Sequence, residues 1–101
     1  MAGVTLIGVG RYEPSGEPHV AEVALVVEDG WQGRGLGAIL LDAVTAAAEA
    51  RGVLGFRADV LADNYRMLRL LATRTLVEER RTEDGVTVIR FRRPAAAATV
   101  R

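Results

Sequence analysis

The stretch that decides the fold is Val26–Gly37, which reads Val-Val-Glu-Asp-Gly-Trp-Gln-Gly-Arg-Gly-Leu-Gly. Gly33, Gly35 and Gly37 follow a segment rich in β-forming residues and directly precede a helical one. Glycines let backbone N–H groups approach an anion closely, and a helix start adds unpaired donors and the positive end of its dipole. We therefore predict a phosphate-binding loop between a strand and a helix, to which Arg34 can add a positive charge.

Apolar spacing on both sides of this loop predicts the element order β-β-α-β-α-β-β. In the strand before the loop, Val20–Val27, only Glu22 is polar, which predicts a central strand buried on both faces. The helix after the loop should run from Leu36 to about Arg51 and stop at Gly52. Its apolar stripe is predicted to be Leu36, Leu40, Ala43, Val44 and Ala47.

The remaining elements follow from strand, cap and turn signals. We predict strands at Val4–Tyr12 and Phe56–Leu61, a helix capped by Asp63 or Asn64, and a hairpin of Leu76–Arg81 and Val86–Phe91 around Asp84-Gly85. A strand, helix, strand unit at the centre implies a parallel pair with a right-handed crossover, and the flanking hairpins imply antiparallel neighbours. The fold class expected is α/β with a mixed sheet.

Length and composition bound what such a chain can do. With 101 residues we expect one domain, over residues 1–93, and a disordered Ala-rich tail over 94–101. Thirteen basic and thirteen acidic residues give no net charge, which argues against nucleic-acid binding. The absence of cysteine excludes thiolate chemistry, and we expect no metal site. No apolar run is long enough for a membrane span and no signal-peptide start is present, so we expect no membrane association and a cytoplasmic location.

Two familiar nucleotide motifs compete for the glycine loop. A Walker A loop requires a lysine, and this chain has none. The Rossmann pattern matches at Gly33, Gly35 and Ala38, with Asp59 at about the position of a ribose-binding acid. Against it, five residues separate the strand from Gly33, the chain has a single central β-α-β unit, and a hairpin follows.

A third pattern fits residue by residue. Val26–Gly37 resembles the central motif of the GNAT N-acetyltransferase superfamily, a strand, a short acidic linker and Gln/Arg-x-x-Gly-x-Gly/Ala opening a helix. Asn64–Leu76 resembles the family's next motif, Asn-x-x-Ala/Met-x-x-Leu-x-x-x-Gly-Phe. The resemblance implies a GNAT-like sheet with helices on both faces, and acetyl-CoA as the acyl donor.

The resemblance also implies a role for each matching position. The family's central strand splays from its parallel neighbour, and acyl-CoA lies in the V between them. Backbone groups at the end of the strand bind the pantetheine arm, and amides of the loop hold the pyrophosphate. Asn64 contacts the pantetheine in many members, although a helix cap explains it nearly as well. The implied cofactor-binding residues are Leu25, Val26, Val27, Gln32, Gly33, Arg34, Gly35, Leu36, Gly37, Ala38 and Asn64.

This sequence departs from the family pattern in two places. The Tyr that protonates the departing thiolate in many members is Leu71 here. The usual N-terminal strand and two helices, which form much of the acceptor pocket, do not fit ahead of Val4. Three alternatives follow: a short family member, a fragment of a larger enzyme, or a chain that completes its pocket by dimerising. We expect a homodimer, or a partner that completes the N-terminal side.

Glu22 is the candidate catalytic residue. A carboxylate on an apolar strand is costly unless it is partnered or solvated in a cleft, and Ala21–Ala24 resembles the protein-lysine acyltransferase branch, in which a Glu here is the base. The alternative is that Glu22 pairs with an arginine such as Arg11.

The sequence leaves two functions open for the chain. The first is an N-acyltransferase acting on a primary amine, of a small molecule or a protein lysine. The second is an acyl-CoA-binding or regulatory remnant without transferase activity.

Overall fold

The computed structural model describes residues 8–27 and 35–94, which form a five-stranded sheet and two helices. Strand order across the sheet is β1-β2-β3-β5-β4, in which β2 and β3 are parallel and every other neighbouring pair is antiparallel. The predicted mixed sheet and element order are confirmed. The elements are β1 (Gly8–Pro14), β2 (Val20–Val27), α1 (Leu36–Glu49), β3 (Gly55–Leu61), α2 (Tyr65–Arg74), β4 (Leu76–Glu83) and β5 (Val86–Arg92).

Among the described elements, both helices lie on one face of the sheet, whereas the sequence led us to expect helices on both faces. The crossovers β2-α1-β3 and β3-α2-β4 each join parallel strands and run in the same direction across the sheet. Because such crossovers are right-handed, they place α1 and α2 on the same side. Phe56 and Phe91 stack on this helix-covered face, with ring centroids 5.4 Å apart. Its buried strand residues are Ala21, Val23, Phe56, Ala58, Val60, Thr87, Ile89 and Phe91.

The opposite face of the sheet, called here the open face, carries Glu22, Ala24 and Val26 of β2 in exposed positions. The prediction that β2 is buried on both sides is therefore wrong. Alternate residues of a strand point to opposite faces, so apolar residues on both faces look buried in sequence even when one face meets solvent. Val26 is 67% exposed.

Helix α1 begins at Leu36 as predicted but ends at Glu49, just before Gly52 with its φ of 94°. Its buried stripe differs from the predicted one, because Ala43 and Ala47 are exposed. Alanine suits either side of a helix, so the spacing alone did not fix the register. The residues that α1 buries are Leu41, Val44, Thr45 and Ala48.

The predicted hairpin is confirmed, with Asp84 at φ 53° and Gly85 at φ 78° between β4 and β5. Two left-handed residues form the turn that suits a two-residue hairpin. Residues 4–7 of the first predicted strand and most of the predicted tail lie outside the described residues. In the part of the chain that the structure describes, no helix is long and apolar enough to cross a membrane.

Gly10 on β1 allows α1 to approach the sheet closely, and this predicts a specific stability effect. A Cβ at this position would lie 2.6 Å from Cγ2 of Val44 and 3.0 Å from Cδ2 of Leu25. Gly10→Ala should therefore lower the free energy of unfolding by about 1–3 kcal/mol through overpacking. Gly55→Ala is the control, because a Cβ there would meet nothing closer than Cγ2 of Val20 at 3.8 Å. Urea unfolding that gives equal stability for both variants would contradict this packing.

Candidate functional site

The parallel pairing between β2 and β3 ends early. It joins Val20 to Gly55, Ala21 to Phe56 and Glu22 to Arg57, although β2 continues to Val27 and β3 to Leu61. Beyond Glu22 and Arg57 a cleft of about 210 Å³ opens between the strands. It is lined by Val23, Ala24, Leu25, Ala58, Asp59, Val60, Leu61, Asn64, Met67 and Leu71.

The β2 wall of this cleft offers backbone groups to a ligand. From Val23 to Val27, β2 stays paired with β1 on one edge but has no ladder partner on the edge towards β3. Unpaired backbone N–H and C=O groups at a buried edge need another partner. An extended, amide-containing ligand could provide one, which is the role predicted for Leu25, Val26 and Val27.

The N-terminus of α1 supplies a second set of donors. Gly35 caps the helix in the left-handed conformation, with φ 79° and ψ −1°, and its carbonyl accepts the bond from the Ile39 N–H at 3.2 Å. Residues 36–38 therefore stand in the first turn, and their N–H groups have no backbone partner among the described residues. They are free to hold an anion, as predicted for Gly35, Leu36, Gly37 and Ala38.

A close helix contact brings this first turn against α2. A Cβ on Gly37 would lie 3.2 Å from Cδ2 of Leu70, so α1 approaches α2 at this glycine. The same helix α2 lines the cleft with Met67 and Leu71. A ligand could therefore occupy the cleft and reach the start of α1, which fits a long molecule with an anionic end.

Asn64 serves as the N-cap of α2, since its Oδ1 accepts a hydrogen bond from the Met67 N–H at 3.2 Å. Asn64 also lines the cleft. Because the cap uses the oxygen only, the side-chain NH₂ group remains available as a donor to a ligand. The cap is observed, and the contact with pantetheine stays a prediction.

The other predicted binding residues lie either outside the described residues or at the end of β2. Gln32, Gly33 and Arg34 lie outside the described residues, so their predicted roles are untested. Val26 exposes its side chain on the open face, away from the helices, and can serve the cleft only through its backbone. Val27 is described through its backbone alone.

Glu22 occupies the last position of β2 that is paired with β3, where the cleft begins, and is exposed on the open face. Its register neighbours are Glu13 on β1 and Arg57 on β3. Arg11, considered as its partner, instead lies 3.7 Å from Glu13. No ion pair within 4.0 Å involves Glu22 across residues 8–27 and 35–94.

Sequence reasoning missed the α2 side of the cleft. Met67 and Leu71 appeared in sequence as an ordinary apolar helix stripe, and their spacing gave no sign that part of it faces a cleft. Leu71 is only 1% exposed, so the position at which many family members have a Tyr donor here contributes an apolar wall. In the described part of the chain, no group of three His, Cys, Asp or Glu residues is arranged to hold a metal ion.

Comparison with known proteins decides the family. The model of the acetyltransferase (GNAT) family matches residues 2–74 of this chain. The chain belongs to the GNAT family.

Three GNAT relatives show how far the similarity extends. Acetyltransferase Pat of Mycolicibacterium smegmatis is 44% identical over 52 residues, which are 52% of this chain. The GNAT domain of S. lividans PAT superposes with a TM-score of 0.74 at 33% identity over 91% of this chain. A putative acetyltransferase from Salmonella typhimurium, solved with its cofactor acetyl-CoA, has a TM-score of 0.70 at 21% identity over 91% of this chain.

The chain is shorter than each of these relatives. It covers 16% of the M. smegmatis protein, 57% of the S. lividans domain and 61% of the Salmonella enzyme. The 21% identical structure supports the fold alone.

The first turn of α1 yields a binding prediction. Gly35→Asp should weaken CoA binding at least ~10-fold, because it places a carboxylate beside the amides that would hold the pyrophosphate. Gly35→Asn is the matched control: Asn has the same size and adopts the left-handed conformation about as readily, but carries no charge. Isothermal titration calorimetry with CoA measures both. The site is refuted if the wild type does not bind CoA, or if Asp and Asn bind it equally.

Proposed function

We propose that this chain transfers an acetyl group from acetyl-CoA to a primary amine, with a protein lysine side chain as the favoured acceptor. The observation that carries the proposal is the cleft between β2 and β3, lined on one side by α2, against which the first turn of α1 packs with amides that have no backbone partner among the described residues. Membership of the GNAT family and similarity to Acetyltransferase Pat support the choice of reaction, and the resemblance of Val26–Gly37 to the GNAT central motif implies acetyl-CoA as the donor. We also expect the protein in the cytoplasm, as the sequence predicts.

The residues of this chain bind and orient the donor. Backbone groups of Leu25, Val26 and Val27 would hold the pantetheine arm, and the amides of the loop, Gln32 to Ala38, would hold the pyrophosphate. Acetyl-CoA supplies a thioester carbonyl that an amine can attack. A backbone N–H at Val26 or Val27 would stabilise negative charge developing on the carbonyl oxygen.

Glu22 would prepare the acceptor. A lysine side chain has a pKa of about 10.4, so its neutral form costs about 4.6 kcal/mol at pH 7. A carboxylate that accepts the proton as the new bond forms recovers part of this cost. Glu22 is exposed at the point where the cleft begins, so an amine arriving from the open face can reach it.

The distance along β2 constrains how Glu22 acts. Four to five residues separate it from Val26 and Val27, which is about 13–17 Å at about 3.3 Å per residue. This span is too long for direct contact with the thioester. The proton is therefore passed through water, or is taken from the amine on the acceptor side of the cleft.

Glu22→Gln tests this role because it keeps the shape of the side chain and removes the base. It should lower kcat by about 10²-fold while leaving acetyl-CoA affinity nearly unchanged. Glu13→Gln is the control, because Glu13 is directly opposite on β1 and carries the same charge. Steady-state kinetics across pH 6 to 9 make the comparison. Wild-type turnover by Glu22→Gln, or an equal loss in Glu13→Gln, would show that Glu22 is not the base.

A second candidate function is an acyl-CoA-binding or regulatory module without turnover. It is favoured by Leu71, because the position of the usual proton donor is apolar and buried. A thiol is only weakly basic, however, so the thiolate can leave without a protein acid. Acetyl-CoA binding without acylation of any amine would support this second function over the first.

We further propose that a second copy of the chain covers part of the open face. Val26 and Leu61 expose 67% and 62% of their surface there, at the cleft end of β2 and β3. Exposed apolar surface of this kind favours association. A partner on this side would also build the acceptor side of the site.

Self-association should depend on this apolar patch. The wild type should sediment as a dimer at micromolar concentration, and Leu61→Asp should shift it to the monomer. Ile39→Asp serves as the control, since Ile39 is 64% exposed on α1, on the helix side of the sheet. A wild-type monomer at all concentrations, or equal dissociation in both variants, would contradict the dimer.

A further inference from the structure

A row of five charged residues crosses the open face, one from each strand. In spatial order the row runs Glu13, Glu22, Arg57, Arg90 and Glu79, and consecutive members are register partners. Arg57 therefore stands between the proposed base Glu22 and a second arginine. Register partners on one face have side chains close enough to interact.

Arg90 is fully engaged within the protein. Its guanidinium donates to both carboxylate oxygens of Glu17, at 3.1 and 2.6 Å, and lies 3.8 Å from Glu79. The hydrogen bond from Arg90, together with its charge, lowers the pKa of Glu17 below its ordinary value. A two-pronged pair of this kind leaves Arg90 little capacity for a ligand.

Arg57 makes fewer contacts with carboxylates of the described residues than Arg90 does. Its nearest carboxylate among the described residues is Asp59, with Nε 3.5 Å from Oδ1, and this contact is not a hydrogen bond. The Nε atom is buried without a hydrogen-bond partner in that part of the chain, while the side chain as a whole is 37% exposed. The terminal nitrogens are therefore the donors that a ligand would meet.

The terminal donors of Arg57 can accommodate a carboxylate ligand. Arg90, directly opposite on β5, already forms the two-pronged pair with Glu17, and the described residues show no hydrogen bond from Arg57 to a carboxylate. Arginine is suited to bind a carboxylate through two parallel N–H donors. A carboxylate brought to the open face beside Glu22 would satisfy donors that the described chain leaves unused.

We propose that Arg57 binds a carboxylate of the acceptor while Glu22 receives its amine. The inference deepens the proposed function and rests on it. Glu22 and Arg57 are register partners on strands about 4.8 Å apart, so they would select amines that carry a carboxylate several ångströms away. The carboxylate can be the acceptor's own terminal group or an acidic side chain next to a lysine in a peptide.

Two matched pairs of acceptors test this on the wild-type chain. One pair is Nα-acetyl-lysine and its amide, and the other is a capped Ala-Lys-Asp peptide and its Ala-Lys-Asn counterpart. Each pair differs only in one carboxylate. The carboxylate member of at least one pair should be acetylated with kcat/KM on the order of tenfold higher, mainly through KM. Preference within the first pair indicates a free-acid acceptor, and preference within the second indicates an acidic peptide.

Substitutions at Arg57 test whether this residue causes the preference for the carboxylate acceptor. Arg57→Gln should abolish it, and Arg57→Lys should restore part of it. Arg81→Gln, which removes an exposed charge from β4, should keep the full preference. Equal use of both members by the wild type, or an intact preference in Arg57→Gln, overturns the inference while acyl transfer stands. Turnover of none of the four amines overturns the proposed function and this inference with it.

Discussion

The early end of the β2–β3 ladder is the constraint on which the rest of the site depends. Three paired positions hold the strands together, and beyond Glu22 and Arg57 the chain leaves backbone groups without a sheet partner. Such groups are costly to bury and strongly favour a ligand that can pair with them. The cleft is thus the part of the parallel pair in which β2 and β3 no longer bond to each other, and in the proposed function the donor forms the missing hydrogen bonds.

The direction of the two crossovers decides which face of the sheet the helices cover. Since both run the same way across the sheet, α1 and α2 lie on one face, and α2 provides an apolar wall of the cleft. Glu22 and Arg57 stand on the open face at the last pairing of β2 with β3. In the proposed function the donor therefore binds on the helix side and the acceptor approaches from the open face.

Much of this arrangement could be predicted from local chemistry. Gly35 before α1 and the Asp84-Gly85 turn act through their own backbone, and Asn64 caps α2 through its own side chain, so sequence position is enough to find them. The faces of β2 could not be predicted, because Ala24 and Val26 are apolar yet exposed. Glu22 and Arg57 are neighbours only through the register of β2 against β3, which are distant in sequence. No local sequence pattern encodes that register.

Backbone amide hydrogen exchange, followed by NMR with and without CoA, tests the central claim that the unpaired end of β2 and the start of α1 form one donor site. The account predicts slower exchange for residues 23–27 and 36–38 when CoA is added, while the β4–β5 hairpin is unaffected. Unchanged exchange in both of these segments, or uniform slowing across the whole sheet, would contradict it.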